Sequence, residues 1–159
     1  PEARLVLIGR DSFDLLTQSS STWELLKKEF EEEDLEQVSY LGKMSYDNVQ
    51  EYIRKANVCV FPSFAETFGM VTIEAMAMQK PVVSNDFGWS QELIVSGQNG
   101  FLVHPKKHTD FAKTIVTLLE DEHLCEKIGA AARHRVESIF DIQQIVQQNV
   151  DFYESIISK

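Results

Sequence analysis

The stretch from Val58 to Ser84 limits the fold more than any other. Val58-Cys59-Val60-Phe61 is a short apolar, β-rich run stopped by Pro62, the pattern of a buried strand. Pro81 to Ser84 reads as the next strand. Between them, Gly69 to Met78 is rich in Ala, Met and Glu, and no Gly or Pro interrupts residues 70–80, so a helix is expected there. A strand, a loop, a helix and a parallel strand make one βαβ crossover.

One residue of that helix breaks its pattern. Glu74 has Met70 and Val71 before it and Ala77 and Met78 after it at helical spacing, with Ile73 and Ala75 beside it. A helix apolar nearly all round is expected to be covered on most sides. A carboxylate there either lies on the one solvated edge, or accepts hydrogen bonds from backbone or from a ligand. A second acid, Glu66, falls in the loop after the strand, at the edge where open parallel sheets bind ligands. Gly69 opens the helix, whose first N–H groups lack partners and suit an anion such as phosphate. Two acids and an anion-binding helix start thus converge on one edge.

This run, Glu66-Thr67-Phe68-Gly69-Met70-Val71-Thr72-Ile73-Glu74, resembles the E-x7-E signature of the retaining glycosyltransferases built from two Rossmann-like domains (GT-B type). It looks most like the group 1 family, also called family 4. Pro62-Ser63, Glu74-Ala75-Met76-Ala77 and Pro81-Val82-Val83 match in context. Gly88, Glu92, Gly97 and Asn99-Gly100 resemble the G-G-x-x-E…G-x-N-G run that follows in the family. Two acids at this spacing mean little alone. The ordered set is specific, and the resemblance runs from about Arg4 to Val136.

The chain has 159 residues, 43% hydrophobic and 25% charged, enough for a domain with a proper core. It is read as a single nucleotide-sugar-binding domain over residues 1–159, with 141–159 as a C-terminal helix. No apolar run reaches the length of a membrane span, and the start, Pro1-Glu2-Ala3-Arg4, carries no signal peptide. The net charge of −10 argues against nucleic acid as a partner. It also sets a problem, because a diphosphate needs local positive charge that the whole-domain field does not supply. Cys59 and Cys125 form no metal or disulfide pattern, which fits a reducing, cytoplasmic setting.

Residues 4–8 read as a strand closed by Gly9, and Arg10 to Ser20 as a polar insertion. Ser21 with Glu24 forms a capping box for a helix to about Glu32, with Trp23, Leu26 and Phe30 inward. Gln37 to Leu41 is the second strand. A helix capped by Ser45 follows, carrying Val49, Tyr52, Ile53 and Ala56 on its apolar stripe. Trp89 to Val95 is a short helix and Phe101 to Val103 the last strand. Strand ends near 8, 41, 61, 84 and 103 suit βα units. Three helices end the chain, striped by Phe111, Ala112, Ile115, Leu118 and Leu119, then by Leu124, Ile128, Ala131, Ala132, Val136 and Ile139. The last is capped by Asp141 with Gln144, with Ile142, Ile145, Val146, Tyr153 and Ile156 inward, or exposed if their cover lies elsewhere. The expected class is α/β: one doubly wound open parallel sheet with a helical C-terminal extension.

The resemblance implies roles. Glu74 binds the ribose hydroxyls of the donor nucleotide, and Glu66, the catalytic candidate, contacts the donor sugar near the reacting carbon. Phe68, Gly69, Met70 and Val71 offer backbone N–H groups to the sugar and diphosphate. Gly42, Lys43 and Met44 lie by the nucleobase, unless Gly42 is a plain turn and Lys43 is solvated. Gly88 and Glu92 are weaker candidates, Glu92 being equally a structural acceptor. No metal or other cofactor is implied, and no D-x-D element is present. The donor is a UDP- or GDP-sugar, with ADP-sugar third, and the acceptor is open. The full-length enzyme would add an N-terminal acceptor domain and serve polysaccharide or glycolipid synthesis, with peripheral membrane association left open. The Arg and Lys that neutralise the diphosphate in the family come from a unit expected before Arg4, so this chain alone is expected to be inactive.

Two positions depart from the family. Trp89 stands where the second Gly is usual, either narrowing the cleft or anchoring a helix start. Gly9-Arg10-Asp11 replaces a G-x-G turn. His104, His108, His123 and His134 read as surface or structural residues, and Arg133 and Arg135 as solvent-facing. A non-catalytic nucleotide-binding or scaffold module of the same fold is the alternative, and a nucleotide-sugar epimerase a further one.

Overall fold

The computed structural model describes residues 3–157; Pro1, Glu2, Ser158 and Lys159, including the end of the expected 141–159 helix, lie outside the described residues. The chain divides into two compact units, residues 1–52 and 53–159. Each is an α/β arrangement with a parallel ladder, as the alternation of strands and helices requires. The described strands form two ladders where one continuous sheet was expected.

In the first unit, β1 (Leu5–Leu7) pairs in parallel with β2 (Val38–Tyr40), Leu5 facing Val38. The segment between them is less helical than its stripe suggests. α1 spans only Thr22–Leu26, tightens into a 3-10 turn over Lys27–Glu29, and breaks where Phe30 is extended. α2 (Glu32–Leu35) then places three acids in its own first turn, where the helix dipole favours them. Half of the expected capping box is made: Ser21 Oγ accepts from the Glu24 N–H at 2.9 Å. The other arm is not, because the Glu24 carboxylate pairs with Lys27 at 2.6 Å. Leu26 is exposed, contrary to its place in the stripe.

The polar stretch after β1 is ordered by its carboxylates. Asp11 accepts from the backbone N–H groups of Ser12 and Trp23. A side-chain bond from Ser21, then the Trp23 N–H, holds its carboxyl below the usual aspartate range. Trp23 stacks on Tyr40 at 4.9 Å, and the Tyr40 hydroxyl donates to the Gly9 carbonyl.

α3 (Tyr46–Lys55) begins where the Ser45 carbonyl accepts from the Val49 N–H, and buries Ile53. In the second unit β3 (Cys59–Phe61), β4 (Val82–Ser84) and β5 (Phe101–Leu102) run parallel in that order, within a residue of the expected ends. α4 (Met70–Ala77) connects β3 to β4, and α5 (Ser90–Leu93) lies between β4 and β5. α6 (His108–Glu120), α7 (Glu122–Phe140) and α8 (Ile142–Ile157) complete the unit. Val83, Phe111, Leu118 and Ile128 centre one core cluster, joined by half-buried Val58, Val60, Phe101 and Ile115. Each fully buried Leu or Ile there contributes about 1.5–3 kcal/mol. Ala112 and Leu119, expected in the stripe of α6, are exposed.

Asp141 caps α8 as expected, accepting from the N–H groups of Gln143 and Gln144. The apolar face of that helix is open: Ile142, Val146, Phe152, Tyr153 and Ile156 are exposed, and Ile145 is half-buried. Among the described residues no helix is long and apolar enough to cross a membrane.

Cys59 sits within the core edge of β3, and burial pushes its thiol up to about 11. A group protonated this firmly in the fold favours folding fully below its unfolded value, and that advantage is lost as pH rises through about 11. Native protein at pH 8 is expected to react with a thiol reagent at half-buried Cys125 first, with Cys59 modified only on unfolding. Mass mapping of the modified residue checks the order, and rapid native labelling of Cys59 would contradict it.

Candidate functional site

The site in the second unit is built on the turn from β3 into α4. Gly69 caps α4 in the left-handed conformation, φ 67° and ψ 42°, which glycine adopts without strain. The first helical bonds run from the Thr72 and Ile73 N–H groups to the Gly69 carbonyl. The N–H groups of Gly69, Met70 and Val71 therefore have no intrahelical partner. The space around Gly69 is close: a Cβ there would lie 3.6 Å from Glu66 Cγ and 3.7 Å from Trp89 Cδ1. Glu66 thus folds beside this helix start. Its carboxylate is exposed and accepts from the Thr67 N–H at 3.1 Å.

Glu74 stands one turn further on. α4 buries Thr72, Ile73, Ala75 and Met76, leaves Met70 exposed, and half-buries Val71, Glu74 and Met78. The helix is therefore not covered on the Met70–Glu74 side. Of the readings open for Glu74, this is the partly solvated edge. Its carboxylate is part-exposed and so avoids the full cost of burial.

Trp89 takes the position of its helix-start reading. It is the residue at the start of α5, and its ring packs on Phe68 with centroids 4.7 Å apart. Phe68 in turn meets Phe140 edge-on at 5.9 Å. The Trp89 Nε1–H is buried without a hydrogen-bond partner, as is Asp86 Oδ1. The indole so packs on the loop between Glu66 and Gly69 and takes space beside Gly69 that glycine would leave open.

Gly88 is exposed just before it. The Glu92 side chain is exposed, and its carbonyl accepts from Arg135 Nη2 at 2.9 Å. Arg135 is therefore a half-buried clasp on the end of α5 and does not face solvent freely; Arg133 does lie at the surface, paired with Glu137. Sequence reasoning missed Arg135, and the one available signal was its position one residue before buried Val136.

The nucleobase candidates belong to the first unit. There the loop after β2 is tied to the loop after β1 by the Gly9 N–H bond to the Gly42 carbonyl at 3.0 Å. A Cβ at Gly42 would meet nothing within 4 Å, Lys43 is exposed, and Met44 is half-buried. This is an open turn of backbone.

Comparison with known proteins bears on this arrangement. The chain is 34% identical over 108 residues to the capsular polysaccharide biosynthesis glycosyltransferase CapM of Staphylococcus aureus, covering 68% of this chain and 28% of that protein. It is 33% identical over 122 residues to the N-acetyl-alpha-D-glucosaminyl L-malate synthase of Bacillus anthracis, covering 77% of this chain and 32% of that one. The chain thus spans about a third or less of these relatives' length. Among solved structures, Anabaena HepE in complex with UDP superposes with a TM-score of 0.84 at 28% identity, over 98% of this chain and 42% of HepE. HepE has also been solved with UDP and glucose and with UDP-glucose. The family model for glycosyl transferases group 1 matches residues 1–135, which take in both acids, the helix start between them and the loop after β2, and the chain therefore belongs to that family.

Proposed function

We propose that this chain is the donor-binding domain of a retaining, metal-independent glycosyltransferase that uses a nucleoside diphosphate sugar, UDP-sugar before GDP- or ADP-sugar. The reading rests on one observation above all. The start of α4 presents unpaired N–H groups at Gly69, Met70 and Val71, with exposed Glu66 beside them and half-buried Glu74 one turn on. UDP in the related HepE structures supports the choice of base.

In this reading Glu74 accepts two hydrogen bonds from the ribose hydroxyls. The backbone from Phe68 to Val71 donates to the sugar and diphosphate, with the helix dipole adding to the attraction. Glu66 orients the donor sugar. The bond from the anomeric carbon to the phosphate oxygen breaks while the acceptor oxygen attacks on the same face. The acceptor's proton passes to the departing phosphate, which leaves as the nucleoside diphosphate. Catalysis then rests on positioning and on charge stabilisation. Gly88 and Glu92 shape the far side of the diphosphate site. Further cations and the greater part of the acceptor site belong to the rest of the polypeptide, which works at the cytoplasmic face in polysaccharide or glycolipid assembly. CapM, a capsular polysaccharide enzyme by name, supports that setting.

Calorimetric titration of the full-length protein with UDP, GDP and ADP tests the site. UDP is expected to bind most tightly, and Glu74→Ala to weaken it by about tenfold or more, since two bonds to a carboxylate are lost. Equal affinity in the variant would remove Glu74 from the nucleotide site.

A further inference from the structure

The three loops after β3, β4 and β5 each bring one ring to the same end of their sheet. Phe64 lies 6.4 Å from Phe87 and 6.4 Å from His104, and Phe87 lies 5.6 Å from His104, all between ring centroids. Lys106 Nζ stands 6.0 Å from the centre of the Phe64 ring. Phe64 is 60% exposed, so the trio is not a closed core. The loop that carries His104 and Lys106 is held in shape: the Lys106 N–H donates to His104 Nδ1 at 3.2 Å, and the Lys107 N–H to the His104 carbonyl at 2.8 Å. With Nδ1 accepting, Nε2–H is the donor left in the neutral ring.

The charge here is opposite to that of the chain. His104-Pro105-Lys106-Lys107-His108 has four basic residues in five and no acid, in a chain of net charge −10. Lys106, Lys107 and His108 are exposed. Phe64 is two residues before Glu66 in the same loop, so this basic, aromatic patch borders the reacting end of the donor site.

We infer that Phe64, Phe87, His104, Lys106 and Lys107 form a subsite for an anionic carbohydrate, the acceptor or a segment of it carrying carboxylate or phosphate. The inference rests on the donor-site reading in taking this sheet edge as the reacting edge. An exposed ring offers an apolar face for the C–H face of a sugar, and it gains by excluding water from both. The adjacent lysines and the His104 Nε2–H supply donors for a charged substituent. A lipid surface fits less well. Phe64 is the one strongly exposed ring of the trio, too little apolar surface for a wedge.

The full-length protein is titrated with tetragalacturonate, with its neutral methyl ester, and with mannose oligosaccharides with and without 6-phosphate. Vesicles of phosphatidylcholine with phosphatidylglycerol form a further arm. At least one acidic oligosaccharide is expected to bind about tenfold more tightly than its neutral counterpart, and Lys106→Gln with Lys107→Gln to abolish that difference. Which acid binds tells carboxylate from phosphate recognition. Phe64→Ala is expected to weaken the acidic and neutral sugars alike. UDP titrated into the same samples is expected to bind the lysine variant as it binds the parent. Acidic sugars binding a protein that does not bind UDP would sink the donor-site reading and leave the carbohydrate patch standing. Equal binding of acidic and neutral probes, no effect of the lysine changes, or binding to vesicles in place of oligosaccharides would overturn the inference.

Discussion

Replacing Glu66 with alanine in the full-length enzyme is expected to lower kcat by about a hundredfold or more, the scale on which one preorganised polar contact to a transition state acts, with the donor KM shifting by less than about threefold. The side chain is exposed and makes one local bond, to the Thr67 N–H, so its removal leaves the fold intact. It lies beside the helix start, with Cγ 3.6 Å from where a Gly69 Cβ would be. In the proposed reading Glu66 meets the donor sugar, where charge develops as the bond to phosphate breaks. In the same reading Glu74 meets the ribose, a part of the donor that does not change during reaction. The two acids should separate kinetically: Glu66→Ala in kcat, Glu74→Ala in nucleotide affinity. Steady-state kinetics with the donor varied decides the matter. A Glu66→Ala enzyme with unaltered kcat would show that this carboxylate is not at the reacting sugar.

Gly129→Ala is expected to destabilise the protein by about 2 kcal/mol, against the usual direction for that change within a helix. Gly129 lies in the middle of α7 and is buried. A Cβ there would overlap the Gln79 carbonyl oxygen and stand 3.1 Å from the carbonyl carbon. These are backbone atoms and cannot rotate away. They are fixed by the turn that ends α4, where Gln79 takes φ 61° and the Lys80 N–H bonds back to the Ala75 carbonyl. The new methyl must push α7 from that turn, at a cost of about 3 kcal/mol, the upper end for overpacking. Helix propensity returns about 1 kcal/mol. The net loss corresponds to a fall of about 4–8 °C in Tm for a chain of this size. Ala130→Gly, at the exposed neighbouring position, provides the reference, with an expected loss of about 1 kcal/mol from propensity alone. Thermal or urea unfolding of both variants is the measurement. Stabilisation by Gly129→Ala would mean that α7 does not approach the Gln79 turn so closely.

The site illustrates which parts a linear pattern conveys. Glu74 was legible because it interrupts the apolar pattern of α4, and Glu66 because it falls in the short loop between β3 and that helix, so both are tied to one local βα unit. Gly69 was legible because its neighbours begin a helix at a glycine. Trp89 was legible as a departure but not as a brace, since its partner Phe68 comes from a separate loop. The basic patch was harder. His104 reads as an isolated histidine in the sequence, and it gains meaning only where three loops bring Phe64 and Phe87 to it.

The local order of the chain was set by sequence alone. Apolar runs bounded by Pro or Gly placed the described strands, composition placed α4, and periodicity placed α3, α6, α7 and α8, because those signals depend on neighbours a few residues apart. The tertiary structure decided the rest. It broke the expected helix at Phe30, turned Glu24 to Lys27 in place of Ser21, and left the stripe of α8 uncovered. It brought Gly129 against the Gln79 turn and made Arg135 a clasp for α5. The Gly129 and Arg135 contacts depend on atoms distant in sequence that meet in the same space or the same hydrogen bond, and no local period records them.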